Sequence, residues 1–187
     1  MNLNRNIISK IIKEVIEENT KNTYDYASTQ IQIDDETSKK IIDFGKTFIP
    51  NKYIYDEDTS YGREDDIHCT VLYGLISNDV KPVADILSQY EPFTITLGNI
   101  SYFQKDECDV MKIEVESDIL VDMHYKLRDN LKNENSFPDY KPHVTIAYVT
   151  KNFNKNLINN SIFNGIEVYI DKVILSQTDN NRIEIKL

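Results

Sequence analysis

Apolar residues recur at Ile7, Ile8, Ile11, Ile12, Val15 and Ile16 with charged residues between them, a spacing that predicts an amphipathic helix over residues 5–19. We set this helix, with its connector (residues 1–22), apart from a single domain over 23–187. Its stripe must be covered, either by the chain's own core or by a second copy in a dimer. After the polar connector, residues 26–33 alternate as a strand. Asp34 or Asp35 then caps a helix running to about Phe48, whose apolar face is Ile41, Ile42, Phe44 and Phe48 and which Pro50 ends. A polar, tyrosine-rich loop follows over 51–66, long enough to suggest function.

Beyond it the pattern changes from helical to alternating. Residues 67–73 predict a strand closed by Gly74, and 80–89 a short helix with Pro82 in its first turn. Residues 93–97, 100–103 and 110–115 predict three strands of an antiparallel meander. Leu120, Met123, Leu127 and Leu131 mark a helix face over 118–133, capped by Ser117 or Asp118. A turn at 136–140 leads to a strand over 144–149 opened by Pro142. A loop with a short helix and strands over 166–170, 173–177 and 183–187 complete an α+β chain with helices covering sheet faces.

Composition narrows the function classes. With 31 acidic against 21 basic residues the formal charge is −10, which repels a long nucleic acid, so a small nucleotide suits the chain better than a polymer. No run approaches the roughly 18 apolar residues of a membrane span, and no signal-peptide pattern opens the chain, so we expect no membrane partner and a cytoplasmic location. Cys69 and Cys108 lack zinc-ligand spacing and read as free thiols. Abundant Asn, Ile and Lys hint at an AT-rich, viral or mobile source, which would make the location the host cytoplasm.

Two of the three histidines sit in a repeat. Ile67-His-Cys-Thr-Val-Leu-Tyr-Gly74 and Pro142-His-Val-Thr-Ile-Ala-Tyr-Val149 share His, Thr, a β-branched residue and Tyr at equal offsets. Strand alternation places His68, Thr70 and Leu72 on one face opposite Cys69, Val71 and Tyr73, and His143, Thr145 and Ala147 opposite Val144, Ile146 and Tyr148. Two imidazoles and two hydroxyls facing one groove suit phosphoryl transfer. One neutral imidazole takes a proton from the attacking oxygen and one protonated imidazole gives a proton to the leaving oxygen, each worth roughly 10²–10⁴ in rate. The threonines donate to nonbridging oxygens. This chemistry calls for no metal and no cofactor.

The doubled H-x-T-[VI]-x-Y motif resembles the two-histidine phosphoesterase superfamily, which includes LigT-like RNA 2′,3′-cyclic phosphodiesterases. Tyr61-Gly-Arg-Glu64 and Phe137-Pro-Asp-Tyr-Lys-Pro142, which precede the two motifs, look most like phage-encoded members, including anti-CBASS enzymes that degrade cyclic oligonucleotide immune signals. The resemblance implies a bilobal α+β fold, two antiparallel sheets flanking a central groove with helices on the outer faces. It also implies catalytic roles for His68, Thr70, His143 and Thr145. The expected substrate is a cyclic oligonucleotide or a cyclic-phosphate RNA end, cut at a 2′,3′-cyclic phosphate or at a 2′-5′ or 3′-5′ linkage. Processing of RNA ends like a 2′-5′ RNA ligase, or sequestration of a cyclic nucleotide without cleavage, are the other readings.

Around the motifs, Arg63 is a candidate for phosphate or base, weighed against a surface salt bridge. Lys141 is a candidate substrate contact by its parity with His143, and Tyr61 stands before Tyr53 and Tyr140 as a base-stacking ring. Asp66 could orient His68, whereas Glu64-Asp65-Asp66 also reads as a solvated charge run. His124 reads as a structural or exposed helix residue. A metal site built from His68, His143 and Asp66 is the chemical rival, which the threonine partners disfavour.

Overall fold

The computed structural model describes residues 24–57, 61–137 and 139–187, so the helix expected over 5–19 and its dimer contact lie outside it. Strand β1 (Ala27–Gln32) leads to Asp34, whose carboxylate accepts from the Thr37 amide at 2.9 Å and starts helix α1 (Asp35–Phe48). Strand β2 (His68–Leu75), helix α2 (Val80–Leu87) and strands β3 (Phe93–Gln104) and β4 (Cys108–Glu116) follow. Ser117 caps helix α3 (Asp118–Asn130) through the Leu120 amide at 3.2 Å. The helix stops three residues short of the expected end. Asn133 turns back there, its amide donating at 2.8 Å to the carbonyls of both Arg128 and Leu131, which the helix leaves unpaired. Strands β5 (His143–Thr150), β6 (Glu167–Ile170), β7 (Lys172–Ser176) and β8 (Arg182–Lys186) complete the chain.

All neighbouring strands pair antiparallel, in the order β6-β3-β4-β5-β2-β1-β7-β8. The two expected sheets are the four-stranded halves of this array. Each half contains a strand, a helix and then a motif strand: β1, α1, β2 in one and β4, α3, β5 in the other. The halves meet where β2 touches β5, in register only at Cys69 against Val144. Past this point the strands diverge, and the free edge of β5 is taken by the preceding loop: Ile54 bridges to Val149 and Arg63 to Ala147. Helix α1 lies against β5, and helix α3 against β2. The core between helices and sheet is apolar, with Ile41, Leu72, Met111, Met123 and Leu127 fully buried.

Two glycine sites depart from the expected breaks. The strands expected over 93–97 and 100–103 are one strand, because Gly98 and Asn99 together oppose Glu114 as a bulge rather than turning the chain. Gly74 does not close β2. It is the extra residue between the pairs Ala27–Leu75 and Ser28–Tyr73, held at φ 91°. A Cβ there would lie 3.1 Å from the backbone of Glu134 and Asn135, whose loop donates to the Gly74 carbonyl at 2.9 Å. Strain and crowding therefore act together. Gly74→Ala should cost about 1–3 kcal/mol of stability, read as a lower urea midpoint; a midpoint unchanged from wild type would show the loop yields freely.

Candidate active site

Each motif strand carries a bulge at the same offset. Gln30 pairs with Thr70 and Thr29 with Leu72, leaving Val71 extra; Lys112 pairs with Thr145 and Met111 with Ala147, leaving Ile146 extra. A bulge advances the alternation by one residue. Burial follows: Leu72 and Ala147 turn into the core while Tyr73 and Tyr148 leave it, the reverse of plain alternation. His, Thr and Tyr of each motif thus share the cleft face. Because Cys69 faces Val144 in antiparallel register, His68 stands across from Thr145 and His143 across from Thr70, and the two histidines are diagonal neighbours on that face.

The same local device aims both rings. Nδ1 of His68 lies 2.6 Å from the Asp66 carbonyl oxygen, and Nδ1 of His143 lies 2.7 Å from that of Lys141. A carbonyl can only accept, so each Nδ1 carries the hydrogen and each Nε2 is left for chemistry. Asp66 therefore orients His68 through its backbone. Its carboxylate, 3.9 Å from Nδ1, is engaged instead by Arg182 and by the Gln32 amide, both at 2.8 Å.

Behind the cleft, Tyr140 ties one motif to the other. Its hydroxyl donates to the Thr70 carbonyl at 2.8 Å, its ring is stacked on His124 at 4.1 Å, and His124 is buried with Nδ1 2.6 Å from the Val71 carbonyl. Tyr140 and His124 are structural. Burial and the Val71 bond account for His124, whose pKa burial lowers.

The electrostatics of the two halves differ. Lys112 faces Thr145, and Glu114 faces His143; the equivalent positions on β1 are Gln30 facing Thr70 and Gln32 facing His68. Burial, then the neighbouring charges of Lys112 and His68, hold His143 below the ordinary histidine range, against the opposing pull of the Lys141 carbonyl. Glu64 lies on the His68 side. Burial raises its carboxyl and the charge of His68 lowers it.

Three sequence expectations change here. Arg63 bridges to Ala147 and so shares its core-facing side, donating to the carbonyls of Gly45 (3.2 Å) and Ile49 at the end of α1. It serves as a helix cap rather than a phosphate contact. Glu64, next in the segment, is partly buried and within the electrostatic reach of His68, so it is not part of a solvated run. Lys141 supplies its carbonyl to His143 while its side chain is exposed. Tyr61 packs edge-on against Tyr55 (4.9 Å) and Tyr148 (5.1 Å), with Tyr53 instead against Phe153. Lys112 and Glu64 escaped the sequence reading. The available signal was a lysine inside the alternating run Val110-Met-Lys-Ile-Glu-Val115, flanked on both sides by apolar residues.

Surface cavities lie elsewhere. One of about 400 Å³ is lined by Phe44, Phe48, Ile162 and Phe163, and one of about 240 Å³ by Ile41, Gly45, Arg63 and Ile146. The paired histidines belong to neither; they stand on an open cleft face. Among the described residues no group of three His, Cys, Asp or Glu is gathered to hold a metal ion, and no helix is long and apolar enough to cross a membrane.

This fold is shared with LigT and other solved structures. E. coli LigT complexed with 3′-AMP is similar at TM-score 0.63 and 16% identity, over 87% of this chain and 95% of LigT. TT0787 of Thermus thermophilus matches at 0.59 and 13%, over 86% and 97%. Usb1 of Kluyveromyces marxianus with uridine monophosphate matches at 0.57 and 6%, over 87% and 98%. No curated protein matches the sequence. Residues 26–182 match the family model described as Anti-CBASS protein Acb1, and the chain belongs to that family.

Removing the Tyr140 hydroxyl tests the tie between the motifs. Tyr140→Phe should cost about 1 kcal/mol in urea denaturation, and a loss below a third of that would show that the bond to Thr70 contributes little.

Proposed function

We propose that this chain is a metal-independent phosphodiesterase that opens small cyclic oligonucleotides of the kind used as immune signals, with His143 as general base and His68 as general acid. The observation that carries the reading is the Cys69–Val144 register, which gathers both histidines and both threonines on one face with both Nε2 atoms free. Membership of an anti-CBASS family supports the substrate class. The bound nucleotides of similar structures, 3′-AMP in LigT and uridine monophosphate in Usb1, agree with a small nucleotide ligand. Such signals act in the cytoplasm, where the chain would meet them.

The proton roles follow from the electrostatics. His143, held unprotonated at neutral pH by burial, takes the proton of the attacking hydroxyl. For a 3′-5′ linkage that hydroxyl is the ribose 2′-OH. Its oxygen bonds to phosphorus, the bond to the 5′-oxygen breaks, and His68 protonates the leaving oxygen, giving a 2′,3′-cyclic phosphate that water can then open. The acid role goes to His68 as the second imidazole on the same face, with its Nε2 turned to the cleft. Thr70 and Thr145 donate to the nonbridging oxygens. Tyr61 with Tyr148, and Tyr73 on the other half, offer rings to the bases.

His68→Ala and His143→Ala should each lower kcat by roughly 10²–10⁴ while leaving the melting temperature near wild type, and wild-type turnover should persist in excess EDTA. Chromatography of products from a panel of cyclic di- and trinucleotides and cyclic-phosphate RNA ends reads this out. Unchanged ligand after long incubation would make the protein a sponge, and metal-restored activity would replace the two-histidine mechanism.

The pH profile tests the base separately. Protonation of His143 removes the base, and its pKa is lowered, so kcat/KM should hold as pH falls through about 6.5, the ordinary histidine value, and decline only below it. A decline that begins at or above that value would assign the base elsewhere.

A further inference from the structure

Lys112 is the only buried lysine or arginine among the described residues, at 5% exposure. Burying an ammonium is costly unless an anion and hydrogen bonds compensate. Its surroundings supply little of either. Nζ donates to Ser101 Oγ at 2.6 Å and lies 4.4 Å above the Phe103 ring, while the nearest carboxylate, Glu114, is 3.8 Å away, beyond hydrogen-bond reach, and itself half exposed to water. An ammonium has three donors. Ser101, Lys112 and Thr145 form a row across β3, β4 and β5, with their side chains on the cleft face. Phe103 in turn meets the His143 ring edge-on at 4.9 Å.

The corresponding row in the other half runs Ile174, Gln30, Thr70. Gln30 of this row is already served within a network: it donates to Gln32 at 3.2 Å, and Gln32 to Asp66 at 2.8 Å. The two halves thus match in backbone and motif but differ in charge at two positions: a neutral amide stands against Thr70 and an undercompensated cation against Thr145, and Gln32 stands against His68 where Glu114 stands against His143.

We propose that Lys112 holds the scissile phosphate: its ammonium and the Thr145 hydroxyl take one nonbridging oxygen, fixing the phosphorus in a single orientation so that two histidines alike in sequence become base and acid. The proposal rests on the phosphodiesterase reading above. The groups facing His143 are Lys112, Glu114 and Phe103 from β4 and β3, His68 and Thr70 from β2, and the Lys141 carbonyl from its own loop. Of these, Lys112 is the one lysine ammonium.

The test measures anion binding apart from turnover. Inorganic phosphate is titrated into wild type, Lys112→Met, Lys112→Gln (the residue of the other half) and Lys112→Arg, followed by ³¹P NMR and calorimetry, with thermal melting as a check of folding. Both neutral variants should lose at least tenfold in phosphate affinity and Lys112→Arg should recover part of it. With a cyclic oligonucleotide, Lys112→Gln should raise KM at least tenfold and move the acidic limb of kcat/KM to higher pH, because a cation that opposes protonation of His143 is gone. Ser101→Ala, which loosens Nζ without removing it, should give a smaller loss in the same direction and serves if the Lys112 variants fold poorly. Equal phosphate affinity in Lys112→Gln, or no phosphate binding by wild type, overturns the proposal. Lys112-dependent phosphate binding without turnover of any phosphodiester supports the anion site and sinks the hydrolase reading instead.

Discussion

Two half-sheets are held together at one register pair, Cys69 against Val144, and the geometry of the cleft depends on that contact. The hydrogen bonds at the junction are few, and each contributes only about 1 kcal/mol. Burial on the opposite face contributes more. Val71, Leu72, Val144, Ile146 and Ala147 are all at most 2% exposed, and a fully buried Val, Leu or Ile side chain is worth about 1.5–3 kcal/mol. The helices that cover this face, α1 on β5 and α3 on β2, therefore fix the angle at which the motifs meet more firmly than the ladder does. Arg63 and Tyr140 extend the same arrangement, one fastening the loop beside β5 to the end of α1, the other joining the approach to β5 with the backbone of β2.

A near-symmetric scaffold presents a difficulty for acid–base catalysis, since one histidine must give a proton while the other takes one. The backbone treats both alike: each Nδ1 is bound by the carbonyl two residues before it. The surroundings of the two rings differ instead in their side chains, from the loop before β2 on one side and from β4 on the other. Carboxylates of Asp66 and Glu64 gather on the His68 side, and burial with Lys112 acts on His143. In a chain of formal charge −10, a buried cation opposite Thr145 on the cleft face stands out as the local exception.

Much of this was legible along the chain. Asp34 and Ser117 cap the helices where the polar-to-apolar transition predicts, since capping joins residues only three apart. The repeat of His and Thr exposed the motif strands, and the spacing of Leu120, Met123 and Leu127 exposed the buried face of α3. Gly74 and Gly98 were misread as strand ends for a definite reason. A glycine in a bulge and a glycine in a turn share the same local chemistry, and only the partner strand decides whether the extra residue is absorbed.

The sequence by itself determined the elements, the α+β class and the four residues of the paired motifs, because helix periodicity, strand alternation and capping are set by neighbours a few positions apart. Tertiary structure decided which side chains share the cleft. The bulges at Val71 and Ile146 return Tyr73 and Tyr148 to the histidine face, helix α1 draws Arg63 away from it, and the β4–β5 register brings Lys112 to Thr145. Each of these rests on a pairing between segments far apart in the chain, and such a pairing shifts every face by one residue without changing a single amino acid.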